Sequence, residues 1–309
     1  MSAAEPGFLS LTHSRRPLGK SGPMIAPIAW GMWRFRGEDV AAARVLVEAA
    51  LEIGVDLFDT ADIYGSDHGG SFGAAETLLG RVFAEAPALR GRMVLATKGG
   101  IETGTPYNSS ADYLQRACEA SLKRLGVERI DLYQIHRPDT LAHPAETAEA
   151  LTRLRQAGKI AEVGVSNYTA AQVAALQAHL SFALASIQPE FSPLAIGPLY
   201  DGVLDQALER GLGVLAWSPL GGGRLAAGNP SEPRAQAVAA ALDSLAAREG
   251  VSRAAIAYAW IMAHPAGPIP IVGSQRPERI REAADAMKVR LNRADWYGVL
   301  TAARAEPLP

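Results

Sequence analysis

The chain has 309 residues, 48% hydrophobic and 20% charged, with a formal net charge of -2 at pH 7. Length permits one large domain or two ordinary ones, α/β barrels routinely using this length as one, and the composition suits a soluble globular protein with an ordinary buried core. The near-neutral charge gives no overall field for nucleic acid or an anionic membrane. A single cysteine, Cys118, excludes an intramolecular disulfide and fits a reducing compartment. The most apolar stretch, residues 254–263, is far short of the ~18 residues that a membrane span needs. Residues 1–16 lack a secretory apolar run, so a soluble cytoplasmic protein is expected.

The elements read as strand then helix, repeated. A first strand is predicted over 25–30. An amphipathic helix over 40–53 follows, stopped by Gly54, since glycine tolerates the positive φ of a helix end. Strand 55–58 leads into a polar, glycine-rich connection, 60–73, and then a helix over 74–84 with Leu78, Leu79, Val82 and Phe83 on one face. Next come strand 93–98, helix 111–125 carrying Cys118 as a packing residue, strand 130–136, helix 145–157 and strand 160–165. Helix 170–178, strand 185–188, helix 203–210 and strand 214–217 follow. A Gly/Pro loop, 219–233, precedes helical stretches over 234–249 and 252–263, a last strand over 269–272, and helices over 277–287 and 293–304.

Such alternation implies right-handed βαβ units and a parallel sheet. Strands without polar alternation are buried on both faces. Eight units at this length favour a closed (β/α)8 TIM barrel over an open doubly wound sheet. The expectation is a single barrel domain over 1–309, with a short N-terminal extension and an extra C-terminal helix.

Asp59, Tyr64, Lys98 and His136 lie just past apolar strands. Alone, each has a plain structural reading: a turn former, a packing phenol, a solvated end-of-strand charge, a backbone-satisfying imidazole. Together, at the same ends of successive strands of a barrel, they converge where barrel active sites lie. Hydride delivery to a carbonyl carbon builds negative charge on oxygen, and a proton donor must meet it. Tyrosine, with a pKa of about 10, is a reluctant acid; a nearby lysine cation brings that value down. Tyr64 is therefore assigned as donor, Lys98 as its tuner, Asp59 as the lysine's partner and His136 as the group that orients the carbonyl.

Several segments occur in an order that carries a resemblance. They are Asp59-Thr60-Ala61-Asp62-Ile63-Tyr64-Gly65, Thr97-Lys98, Ile135-His136-Arg137-Pro138, Gly164-Val165-Ser166-Asn167, Gln188, Trp217-Ser218-Pro219-Leu220, and Gly273-Ser274 with Arg279 and Glu282. Over nearly the whole chain the sequence resembles the aldo-keto reductases, and its Gly221-Gly222-Gly223-Arg224 stretch looks most like the bacterial YdhF-type oxidoreductases. The resemblance implies an NADP(H)-dependent reductase of aldehydes or ketones and the same four catalytic roles.

No Gly-x-Gly-x-x-Gly follows a strand, which argues against a Rossmann domain. Barrels bind phosphates at the loops after the seventh and eighth strands, here 218–224 and 273–279. By resemblance, Ser274 and Arg279 hold the 2′-phosphate and Glu282 the adenine amine. Trp217 stacks on the nicotinamide, and Ser166, Asn167 and Gln188 bond its carboxamide. Gly31, Met32 and Trp33 lie near the nicotinamide, and Ser218, Pro219, Leu220, Gly222 and Arg224 belong to the seventh loop. Gly273 stands where many members have lysine, so the phosphate grip is either weaker or leans on Arg276. Ala283 replaces a frequent asparagine. No metal is implied.

Trp33, Tyr64, Tyr107, Arg137, Trp217 and loop 65–73 are the candidate substrate walls, suited to a small apolar or aromatic carbonyl compound. Arg137 either attracts a carboxylated substrate or is structural. The end of the chain soon after its final helix, at Leu308 and Pro309, suggests a short lid and an open site. The expected partner is a small-molecule carbonyl substrate, with no nucleic acid and no membrane, in a monomer or weak homo-oligomer. The rival readings are a cofactor-binding redox-sensing or structural barrel with little turnover, and a lyase or isomerase barrel without nicotinamide.

Overall fold

The structure is a computed structural model that describes residues 7–11, 14–20, 22–66, 69–226 and 228–306. A short antiparallel hairpin, β1 (Arg16–Pro17) and β2 (Met24–Ile25), precedes the barrel. Eight parallel strands then close in chain order: β3 (Ala29–Gly31), β4 (Leu57–Asp59), β5 (Val94–Gly99), β6 (Ile130–Ile135), β7 (Ile160–Ser166), β8 (Ser186–Gln188), β9 (Gly213–Ala216) and β10 (Ile269–Val272), the last pairing back to β3.

The strand expected over 25–30 is two elements. Pro27 has no N–H for a ladder and a fixed φ, so pairing stops there. The chain changes from hairpin to barrel at this point, with the Ala26 N–H donating to Asp56 Oδ1 at 2.8 Å. Leu18 and Ile25 of the hairpin region are fully buried against the lumen residues Leu57, Leu132, Leu215 and Ile269. They seal the N-terminal end, each contributing ~1.5–3 kcal/mol relative to exposure.

The outer layer comprises α1 (Val40–Glu52), α2 (Ala74–Glu85), α3 (Ala111–Leu125), α4 (Pro144–Gln156), α5 (Ala170–Gln177), α6 (Val203–Arg210), α7 (Pro233–Glu249), α8 (Arg253–Met262), α9 (Pro277–Glu282) and α10 (Arg293–Arg304). The helix expected over 277–287 is α-helical only through Glu282 and tightens to a 3-10 turn over Ala283–Lys288, which packs on α8. Helices α7 and α10 pack on each other. Trp260 of α8 and Trp296 of α10 stack at 4.9 Å between ring centroids. Each indole N–H donates to the other residue's backbone carbonyl at 3.0 Å, which pins the C-terminal helix to the wall.

Along a strand, side chains alternate between lumen and helix layer. Leu57, Ala96, Leu132 and Leu215 make the apolar lower lumen. Two residues further on, toward the C-terminal ends, come Asp59, Lys98, Gln134 and Trp217. The register sets Asp59 beside Gly31 and Ala96, and Lys98 beside Gln134. The polar groups therefore sit on an apolar plug, one layer below the open mouth.

Candidate active site

Lys98 is fully buried and its Nζ has three acceptors: Asp59 Oδ2 at 2.6 Å, the Thr60 carbonyl at 2.9 Å and Tyr64 Oη at 3.0 Å. An ammonium has three protons and no lone pair, so all three are used. The Tyr64 oxygen must then accept, which leaves the phenol's own proton directed elsewhere. The other Asp59 oxygen, Oδ1, accepts from Gln134 Nε2 and Gln188 Nε2, both at 3.0 Å. Strand register explains the convergence: β4, β5, β6 and β8 each place one polar side chain in the same lumen layer.

Burial works against a charged Lys98, but the Asp59 carboxylate and the bonds to Asp59 and Tyr64 outweigh it, so the ammonium's pKa lies above its ordinary value. For Tyr64, burial raises the pKa and is the largest influence; Lys98 lowers it and Asp59 raises it. The net direction is upward. The lowering by lysine expected from the sequence is thus one contribution and is overridden by desolvation. Tyr64 keeps its proton through the physiological range, which is the form a proton donor needs. Burial, with Lys98 and Arg137 nearby, holds His136 well below the ordinary imidazole value, so it is neutral. Its ring lies edge-on to Tyr64 at 5.7 Å. Among the described residues, Nδ1 is enclosed without a hydrogen-bond partner. An enclosed bare acceptor costs less than an enclosed bare N–H with nothing to receive it, so the proton belongs on Nε2.

Above these groups lies a cleft of about 1300 Å3, larger than the ~300–1,000 Å3 of an ordinary ligand pocket. Asp59, Tyr64 and His136 line it, and Lys98 lies beneath. Gly31 forms part of the floor; a Cβ there would stand 2.6 Å from Ile271 Cγ2. All the cofactor residues expected from the sequence line the cleft except Arg224. That guanidinium is exposed and turns outward, pairing with Glu232 at 2.9 Å and donating to the Gly221 carbonyl at 2.8 Å.

Trp33, Tyr107, Arg137 and Trp217 stand at the mouth as expected; of loop 65–73, residues 67 and 68 lie outside the described residues, as do Leu308 and Pro309. Trp217 is held by its indole N–H, which donates to Asn167 Oδ1 at 2.9 Å. Asn167 Nδ2 donates to the His136 carbonyl at 3.1 Å and to Ser166 Oγ at 2.9 Å. Asn167 and Ser218 adopt positive φ, 60° and 53°. Such backbone is uncommon outside glycine and tends to persist where surrounding bonds enforce it, often at sites.

These positions coincide with a match to the aldo/keto reductase family over residues 27–299. The chain belongs to the aldo/keto reductase family. It is 56% identical over 303 residues to 6-dehydroglucose reductase of Novosphingobium aromaticivorans, covering 97% of this chain and 99% of that one. It is 36% identical to 6-dehydroglucose reductase of Agrobacterium fabrum (90% of this chain, 94% of the relative). It is 35% identical to oxidoreductase YdhF of Escherichia coli (96% and 99%). Among solved structures, the thermostable aldo-keto reductase Tm1743 in complex with the inhibitor epalrestat superposes with a TM-score of 0.79, covering 93% of this chain and 99% of that one. At 24% identity that likeness speaks for the fold.

The cleft opens at the C-terminal strand ends, where (β/α)8 barrels carry their active sites. Sequence reasoning missed Arg34, Glu190, Tyr258 and Gln275, which line the cleft, and Gln134, which lies under it. Gln275 Nε2 donates to the Gly31 carbonyl at 3.2 Å, and Trp30 Nε1 to the Ser274 carbonyl at 2.9 Å, which ties the last loop to the first strand. Gln134 had a readable signal: an amide at a lumen position of an apolar run must find polar partners. The others sit in loops or on a helix that is buried on all sides, where spacing gives no cue.

Proposed function

We propose that this aldo/keto reductase is an NADPH-dependent carbonyl reductase in which Tyr64 supplies the proton. The observation that carries this is the saturation of Lys98, whose three bonds force Tyr64 Oη to accept and leave its proton available. Bound NADPH would supply the hydride. Ser274, Arg276 and Arg279 in the cleft suit a 2′-phosphate, and the pinned Trp217 ring suits a nicotinamide face. Neutral His136 directs Nε2–H at the carbonyl oxygen and polarises it. Tyr64 gives its proton to that oxygen as negative charge develops. Lys98 then stabilises the phenolate, and Asp59 keeps Lys98 charged and fixed.

The substrate we assign is a hexose carrying an aldehyde at C6, in place of the small apolar compound expected from the aromatic walls alone. The two relatives named 6-dehydroglucose reductase support it. So do Trp33 and Tyr107, each 40% exposed, whose faces can lie on sugar C–H groups, and Arg137 and Glu190, which can bond hydroxyls. A cytoplasmic enzyme acting as a monomer or weak homo-oligomer completes the reading; no helix among the described residues is long and apolar enough to cross a membrane. The test is NADPH absorbance with a panel of hexose 6-aldehydes, aromatic aldehydes and ketones. Oxidation with the sugar aldehyde is expected. Tight NADPH binding with no oxidation by any member would favour a redox-sensing or structural barrel instead.

A further inference from the structure

Gln134 is fully buried, lies outside the cleft lining, and touches two groups of different function. Its Nε2 donates to Asp59 Oδ1 at 3.0 Å, and its Oε1 accepts from Gln188 Nε2 at 3.2 Å. Gln188 Nε2 also donates to Asp59 Oδ1 at 3.0 Å. A carboxylate accepts and never donates, so both amides must turn nitrogen toward Asp59. Gln188 then has both amide protons engaged, one by Asp59 and one by Gln134. Its Oε1 accepts from no described residue and is the only polar atom of that side chain left for the cleft.

The space for this arrangement is built in. A Cβ on Gly164 of β7 would stand 3.2 Å from Gln134 Cγ and 2.1 Å from Ser186 Oγ. Glycine there lets the Gln134 side chain cross the lumen.

We infer that Gln134 is a positioning residue that couples proton donation to cofactor recognition. Through one side chain it steadies the Asp59 carboxylate behind Lys98 and locks the Gln188 amide so that Oε1 meets the carboxamide N–H2 of a bound nicotinamide. This rests on the NADPH reading above. A residue that merely filled the lumen would need only volume; this one needs a donor and an acceptor at fixed ends.

The experiment uses the full chain with NADPH and the aldehyde that turns over best. Gln134→Met keeps the volume and removes both bonds. It is expected to weaken NADPH binding, read by quenching of protein fluorescence, about 5–10-fold, and to lower kcat about 10-fold, the scale of one lost hydrogen bond. Gln134→Glu is the second variant. Protonated, it donates to Asp59 and accepts from Gln188; ionised, it repels Asp59. The titratable groups on the elements packed against it are Asp59 on β4, Lys98 on β5 and Glu162 on β7, the last one pair nearer the N-terminal end and ion-paired with Arg155, with Tyr64 after β4 and His136 after β6 beyond the strand ends; Gly164 and Ser166 of β7 and Ser186 and Gln188 of β8 are uncharged. It should keep near wild-type kcat at low pH and show a falling limb where the wild type is flat.

NADPH affinity and kcat within twofold of wild type for Gln134→Met, or a Gln134→Glu profile parallel to wild type, would overturn the inference. Should Gln134→Met not fold, the Gln134→Glu profile decides alone. A wild type that binds NADPH and reduces nothing ends the functional reading, while the affinity comparison still decides the role of Gln134. A wild type that binds no NADPH ends both.

Discussion

Replacing Lys98 with methionine gives the sharpest perturbation, because Lys98 is wholly enclosed and its partner nearly so. The side chains of Lys98 and Asp59 are 0% and 3% exposed. Lys98→Met leaves a buried carboxylate with two neutral amide donors and no cation. Breaking a buried pair from one side costs about 3–5 kcal/mol. An unfolding entropy of ~2.1 cal/mol/K per residue gives ~0.65 kcal/mol/K for a chain of this length, so the Tm should fall by about 5–8 °C.

The loss depends on pH with a definite sign. In the variant the Asp59 carboxylate is a buried charge without its cation, and protonation removes that charge, so the deficit narrows as pH falls toward ~4. In the wild type the Lys98 pKa is raised. Its stabilisation is complete below the unfolded lysine value of ~10.4 and is lost as pH rises through the folded one, so the deficit narrows there too. Adding Asp59→Asn to Lys98→Met should recover most of the lost Tm while leaving the enzyme inactive. The assay is thermal unfolding by circular dichroism at several pH values. A Lys98→Met protein within ~1 kcal/mol of wild type at pH 7, or one whose deficit is the same at pH 4 and pH 7, would refute the reasoning.

Three further expectations concern separate parts of the molecule. Arg279→Ala should raise KM for NADPH about 10-fold or more while changing KM for NADH little, since a charged hydrogen bond to phosphate contributes ~1.5–3 kcal/mol; equal effects on both cofactors would contradict the assigned contact. Asp62 is enclosed with both oxygens unpartnered among the described residues, and burial followed by Glu76 raises its pKa well above the usual carboxylate range. Its folded pKa exceeds the unfolded one, so any stabilisation is present below ~3.9 and is lost as pH rises. Asp62→Asn should therefore raise Tm by about 2–5 °C at pH 8 and leave it unchanged at pH 4, as read by calorimetry. Because burial holds His136 neutral, kcat/KM should stay level from pH 8 down to pH 6; an acid limb near 6.5 that disappears in His136→Gln would show that the imidazole titrates.

The barrel was legible because each of its strands is buried on both faces and so reads as an apolar run, and because glycines such as Gly54, Gly126 and Gly158 punctuate the helices. The first strand was misread because Ile25 and Ala29 are equally buried in different sheets, and the sole marker between them is Pro27. Asp59, Tyr64, Lys98 and His136 stand out in sequence because polar residues at strand ends are conspicuous. The direction of the Tyr64 shift was not legible: placement at matching strand ends gives the lysine, while the desolvation that overrides it depends on the enclosing walls. The direction of the Arg224 guanidinium was not legible, because a Gly-Gly-Gly-Arg loop carries no sign of where it turns, and its pairing with Glu232, eight residues on, appears only in the structure. Gln134, an amide inside an apolar run, was readable as a residue in need of polar partners, but its parity with Leu132 placed it in the lumen only once the register was known.

The central claim is that Tyr64 donates the proton, and single-turnover reduction by Tyr64→Phe with saturating NADPH tests it. The account predicts a rate at least ~10²-fold below wild type, with NADPH affinity essentially retained. A Tyr64→Phe enzyme that reduces the same aldehyde at the wild-type rate would contradict it.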